Sequence, residues 1–140
     1  MQSLAGMKTE SSQQSVVVVE DDPDIREAIC EMLEFEGYPV VAFENGKEAL
    51  ERLHESPNPG LIILDLMMPV MNGVQFLRAR QSDETLAEIP CFVVSAVGKQ
   101  KEIIREGAQG FLRKPVDAGA ILDIVRAHIR NASERPRYLH

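Results

Sequence analysis

The chain has 140 residues, enough for one domain with a real core and little else. Hydrophobic residues make up 44% and charged residues 26%, as in an ordinary soluble globular protein. Lys plus Arg is 15 against 22 Asp plus Glu, and the net charge of −7 argues against a nonspecific nucleic-acid binder, which needs a net basic face.

No apolar stretch approaches the roughly 20 residues that span a bilayer, and the opening "MQSLAGMKTESSQQS" lacks the apolar run of a signal peptide. Both features favour the cytoplasm and no membrane contact. Residues 1–14 are polar, rich in Ser and Gln, and read as a disordered lead-in. Cys30 and Cys91 lie in apolar segments without metal-ligand spacing and read as buried, reduced thiols.

From Ser15 onward short apolar runs alternate with amphipathic stretches. "VVVV" (16–19) reads as a buried strand. In the helix that follows, Ile25, Ile29, Met32 and Leu33 recur at helical spacing, Asp22–Pro23 suits its start and Gly37 its stop. "YPVVAF" (38–43) is a second strand. Residues 45–56 form a second helix with Ala49, Leu50 and Leu53 inward, and Asn45 with Glu48 resembles a capping box. "LIIL" (61–64) is a third strand, and 72–82 contains a third helix. "CFVV" (91–94) is a fourth strand, 99–108 a short fourth helix, "GFLRK" (110–114) a fifth strand and 117–132 a final helix. Five strand–helix repeats with nearly unbroken apolar strands predict a single doubly wound α/β domain, a five-stranded parallel sheet with helices on both faces. The tail, 132–140, is too short and polar to form a second domain.

In such a sheet ligands bind beyond the carboxyl ends of the strands. Those ends carry Glu20, Asp21 and Asp22, then Asp65, then Ser95, then Lys114 followed by Pro115. Gathered carboxylates repel unless a cation joins them, and an all-oxygen set selects a hard cation, Mg²⁺ or else Mn²⁺ or Ca²⁺. A carboxylate beside such a cation can attack a phosphoryl group, and a lysine and a hydroxyl can hold the remaining phosphate oxygens. There is no GxxxxGK[ST] phosphate loop.

"VVVVEDDPDIRE", "LIILDLMMPVMNG", "VVSA" and "GFLRKPV", in this order, strongly resemble the receiver domain of two-component response regulators over residues 15–131. The resemblance implies a flavodoxin-like (βα)5 fold. It implies Asp65 as phospho-acceptor, Asp21 as a direct Mg²⁺ ligand, Glu20 acting through a water, and the backbone carbonyl of Met67 as a further ligand. Ser95 and Lys114 would hold phosphoryl oxygens, Ser95 and Phe111 would be switch residues, and Lys114–Pro115 would be a cis bond, as is common in this family. The implied activity is not metabolic: the chain would catalyse its own aspartyl phosphorylation and dephosphorylation. The implied partners are a sensor histidine kinase or histidine phosphotransfer protein and a downstream protein target. Dimerisation would use the face of the fourth helix, fifth strand and fifth helix, and no direct nucleic-acid contact is implied.

This sequence departs from the family pattern at Val70, where glycine is common, and at Asn72, where aspartate is common. A β-branched Val70 disfavours a left-handed backbone. The segment between Ser95 and Gly107 leaves little room for the fourth helix, which bears on the output face. Asp22 reads as a helix cap, Met67 and Met68 as packing residues, and Arg105 and Arg113 as solvated or partner-facing. Two alternatives are a receiver-like interaction module that is never phosphorylated and a hydrolase of the haloacid dehalogenase type. The second is disfavoured because Met67 stands where its DxD motif needs a second aspartate.

Overall fold

The computed structural model describes residues 13–129. Most of the lead-in, the tail with His140 and the expected last turn of the final helix lie outside the described residues. Five strands, β1 (Ser15–Val19), β2 (Val40–Phe43), β3 (Pro59–Leu64), β4 (Cys91–Ser95) and β5 (Gly110–Arg113), form one parallel sheet in the order β2-β1-β3-β4-β5. Five helices connect and follow them: α1 (Pro23–Phe35), α2 (Gly46–Arg52, extended by a 3₁₀ turn Leu53–Glu55), α3 (Gly73–Gln81), α4 (Gln100–Arg105) and α5 (Ala118–His128). A one-turn helix, Glu84–Ala87, capped by Asp83, precedes β4 and was not expected from the sequence. Among the described residues no helix is long and apolar enough to cross a membrane.

The pleat of the central strands sorts the core into two layers. Val17, Val19, Ile62 and Leu64 pack with Ala49, Phe76, Leu77 and Ile103 of α2, α3 and α4. Val16, Val18, Leu61 and Ile63 pack with Leu33, Ile121 and Val125 of α1 and α5. Both faces of β1 and β3 are therefore covered, which is why those strands carry unbroken apolar runs. Ile25, expected inward, is 36% exposed, because it lies in the first turn of α1 at the rim of the sheet.

Helix starts are fixed by side chains. Asp22 accepts the N–H groups of Asp24 and Ile25, ahead of Pro23. The box expected at Asn45 is half made: Asn45 accepts from Glu48, but Glu48 accepts from the N–H of Glu44. A complete box, not foreseen, joins Asn72 and Gln75, both bonds at 2.9 Å. Contrary to expectation, Val70 is left-handed, with φ +70°, and its side chain is 73% exposed. The turn between Asp65 and Asn72 imposes this conformation, and the side chain gains no packing in return.

Arg80, in the last turn of α3, is fully buried. All its bonded partners are neutral oxygens: the carbonyl of Ile89 at 2.7 and 3.0 Å, those of Ala87 and Gly107, and the amide oxygens of Gln81 and Gln109. The Gln109 oxygen also accepts the N–H of Cys91 at 2.6 Å. One guanidinium thus ties α3, the approach to β4 and the approach to β5 at the end of the sheet away from the carboxylates.

Two stability changes follow from these placements. Arg80→Met keeps most of the volume but leaves buried carbonyls without donors, so it should cost about 3 kcal/mol, read as a lower urea midpoint at unchanged slope. Val70→Gly should raise stability by about 1 kcal/mol in a thermal melt, since relief of the left-handed valine outweighs the extra unfolded-state freedom.

Candidate functional site

The carboxyl ends of β1 and β3 are neighbours, and each delivers acid. Glu20 follows β1 directly and is 4% exposed; its N–H donates to the carbonyl of Phe43. Its Oε2 accepts the N–H of Asp22 at 3.2 Å. Asp65 follows β3, is also buried, and donates its N–H to the carbonyl of Val19. Its Oδ1 accepts the N–H of Met67 at 3.3 Å. Asp21 is half-buried beside them, and one carboxylate oxygen from each of Glu20, Asp21 and Asp65 lies within 4.8 Å of the others.

Lys114 enters from the other side. Its backbone N–H donates to the carbonyl of Ser95 at 2.9 Å, and its bond to Pro115 is cis. Its Nζ lies 3.2 Å from Glu20 Oε1 and 3.7 Å from Asp65 Oδ2. The nearer partner is thus Glu20, a pairing the sequence did not suggest. Ser95, at the end of β4, is fully buried, and its Oγ accepts the N–H of Val97 at 3.3 Å. Phe111 is half-buried on β5 opposite Val93.

Burial pushes the Glu20 carboxyl up to about 7, and the nearby charge of Asp65 adds to the rise; the Asp22 N–H and Lys114 hold it from going further. Three oxygen donors this close, one of them kept from easy ionisation, fit a hard divalent cation, which would relieve the repulsion. No thiol or imidazole belongs to the group.

The residues of the response-regulator receiver domain model match this chain over 16–126. The chain belongs to the response-regulator receiver family. The phosphate regulon transcriptional regulatory protein PhoB of Escherichia coli K12 is 32% identical over 121 residues, 84% of this chain and 52% of PhoB. The chain spans about half the length of the curated relatives it matches. A response regulator receiver protein from Pseudomonas putida superposes with a TM-score of 0.76 at 32% identity, covering 82% of this chain and 97% of that one. The Vibrio cholerae chemotaxis protein CheY4 gives 0.74 at 26% identity, covering 82% and 98%.

The receiver domain brings Glu20, Asp21, Asp65 and Lys114 together, with Ser95 on the adjoining strand end. Asp22 is directed into the α1 cap. The side chain of Met67 is 62% exposed and does not pack, whereas Met68 is buried. Two arginines make backbone contacts that the sequence did not suggest. Arg26 Nη1 donates to the carbonyls of Glu20 at 2.8 Å and Asp21 at 3.4 Å, bracing the acidic turn from one helical turn away. Arg113 is exposed, as expected, but it is not merely solvated: its guanidinium donates to the carbonyls of Ala96 and Gly98. Partners of both are backbone carbonyls, which leave no mark in a residue pattern.

A carboxyl with a higher pKa folded than unfolded binds more protons in the folded state, so it lowers stability as pH rises from its ordinary 4.5 through about 7. In chelator, stability of the receiver should therefore fall between those values by more in the wild type than in Glu20→Gln. Urea midpoints at the two ends of the window check this, and equal slopes for the two proteins would contradict it. Added Mg²⁺ should restore the wild type at the alkaline end.

Proposed function

We propose that this receiver domain takes a phosphoryl group from a phosphohistidine onto Asp65, changes a protein-binding surface, and then loses the group to water. The observation that carries the reading is the buried meeting of Asp65 with Glu20, Asp21 and the Lys114 ammonium at the rim of a parallel sheet. In this reading an Asp65 oxygen attacks phosphorus in line. An O–P bond forms as the P–N bond breaks, and the imidazole nitrogen leaves with the bonding pair and takes up a proton.

Asp21 and Asp65 would hold Mg²⁺ directly, with Glu20 through a water and the Met67 carbonyl as a further ligand; the bound cation would neutralise charge on the phosphoryl oxygens. Mn²⁺ could serve as well. The Met67 N–H already meets Asp65 and keeps one carboxylate oxygen oriented. Lys114, released from Glu20 as negative charge gathers on Asp65, would pair with a phosphoryl oxygen, and the Ser95 hydroxyl would donate to another. Drawing Ser95 inward moves the loop after β4 and gives Phe111 a new position, a population shift between two arrangements of one fold.

Such a shift from about 1:99 to 99:1 takes about 5.5 kcal/mol. One or two charge-assisted bonds at about 1.5–3 kcal/mol each supply part of it, so the switch is incomplete until a target protein binds. The phosphoryl donor would be a sensor histidine kinase or a histidine phosphotransfer protein, in the cytoplasm. The face of α4, β5 and α5 would meet the downstream target or a second copy.

Incubation with Mg²⁺ and acetyl phosphate or phosphoramidate should add the mass of one phosphoryl group to the intact chain. The adduct should fail to form when the metal is chelated beforehand, and should be absent in Asp65→Asn. A folded wild type without any adduct would make this a receiver that works by surface contact alone.

A further inference from the structure

We infer that Arg113 is a positioning residue that sets how readily the β4–α4 loop moves toward Asp65, and so how readily the domain is phosphorylated; the inference rests on the phospho-acceptor reading. Arg113 pairs with Ser95 in the β4–β5 register. Its Nη1 donates to the carbonyl of Ala96 at 3.1 Å, and its Nη2 to that of Gly98. Its guanidinium lies 5.1 Å from the centre of the Phe111 ring, two residues back on the same face of the strand. One exposed side chain thus holds the loop that carries the Ser95 hydroxyl's N–H donor and the aromatic ring beside it.

The other side of the loop is equally constrained. Gly98 has φ +99°, and a side-chain carbon there would come within 2.7 Å of Leu66, the residue after Asp65. The loop therefore runs between Leu66 and the Arg113 fork. Moving Ser95 toward a phosphoryl group on Asp65 withdraws the Ala96 and Gly98 carbonyls from that fork. Arg113 opposes the active arrangement in proportion to those bonds. A lysine could keep the charge but not grip two carbonyls and stack on a ring at once, because only the guanidinium is a planar fork.

The test compares the full chain with Arg113→Ala and Arg113→Lys. Backbone amide exchange at Val97, whose N–H is bonded to the Ser95 Oγ, is followed by NMR without phosphodonor, and beryllofluoride, a phosphoryl mimic, is titrated with Mg²⁺. In Arg113→Ala the Val97 amide should exchange about tenfold faster, and the half-saturating beryllofluoride concentration should fall about fivefold. The melting temperature should stay within about 2 °C, as for an exposed substitution. Arg113→Lys should fall between the two, and its full restoration of wild-type values would overturn the fork. Unchanged exchange in Arg113→Ala overturns the inference. So does faster exchange with an unchanged or raised beryllofluoride midpoint, which leaves the phospho-acceptor reading standing. A wild type that takes up no beryllofluoride overturns that reading and this inference together.

Discussion

Three carboxylates and one ammonium share a partly buried corner, and their mutual charge governs this end of the molecule. Two like charges within 4.8 Å repel by on the order of 3 kcal/mol at an effective dielectric of about 20. The chain has two ways to relieve this on its own. Lys114 places a positive charge against Glu20 and Asp65, and Glu20 holds a proton up to about neutral pH. Both are provisional. A proton is lost as pH rises, and an ammonium on a flexible stem can turn to a stronger anion when one arrives. In the proposed function the same imbalance would favour both a cation and a phosphate group.

Such crowding persists only where the backbone cannot yield. β1 and β3 have both faces in the core, and the turns leaving them are tied by side chains. Asp22 caps α1, Arg26 grips the carbonyls of Glu20 and Asp21, and Asn72 with Gln75 closes the start of α3. Gly73 packs so tightly on Leu66 that a side-chain carbon there would meet the Leu66 Cα at 2.7 Å. The Ser95 side is built differently. The residue before α4, Lys99, makes no side-chain cap, and α4 is six residues long with Ile103 as its buried residue. The acid half of the site is tied by several side-chain bonds, whereas the loop of the hydroxyl half is held by the exposed Arg113. The proposed switch would use that asymmetry, because a charge added to a rigid wall can only pull on something that moves.

The strands were legible because burial on both faces writes itself as apolar runs, and Asp65 stood out because a charged residue ends such a run. Asp21, Ser95 and Lys114 followed from topology, which predicts one functional rim. What the sequence hid was of another kind. Arg80 lies in "RAR" of a short helix, and its burial depends on carbonyls from two other connections. Arg113 has partners 15 and 17 residues upstream, both main-chain oxygens. The left-handed Val70 contradicts the preference of its side chain, and only closure of the turn explains it. Residue type records where apolar surface goes, but it does not record which backbone oxygen a long cation will find.

These hidden arginines also fix the mechanics of α4. Beyond its C-terminal end, Arg80 holds the Gly107 carbonyl from a fully buried position, and Arg78 meets Glu106 with two bonds of 2.8 Å. The Arg78 pair is bidentate, and with the buried Arg80 it anchors this end of the helix from two sides. Near its N-terminal end the restraint is Arg113, exposed and bonded to a loop that can leave it. In the proposed switch, a displacement that begins at Ser95 would travel through the loop and the first turn of α4 and meet the anchored Gly107 end. The surface it would alter is the outer face of α4, where Lys101, Ile104 and Arg105 are exposed. In that proposed switch the shortness of α4 would favour signalling, since a helix of under two turns passes on a pivot at one end without a rearranged core.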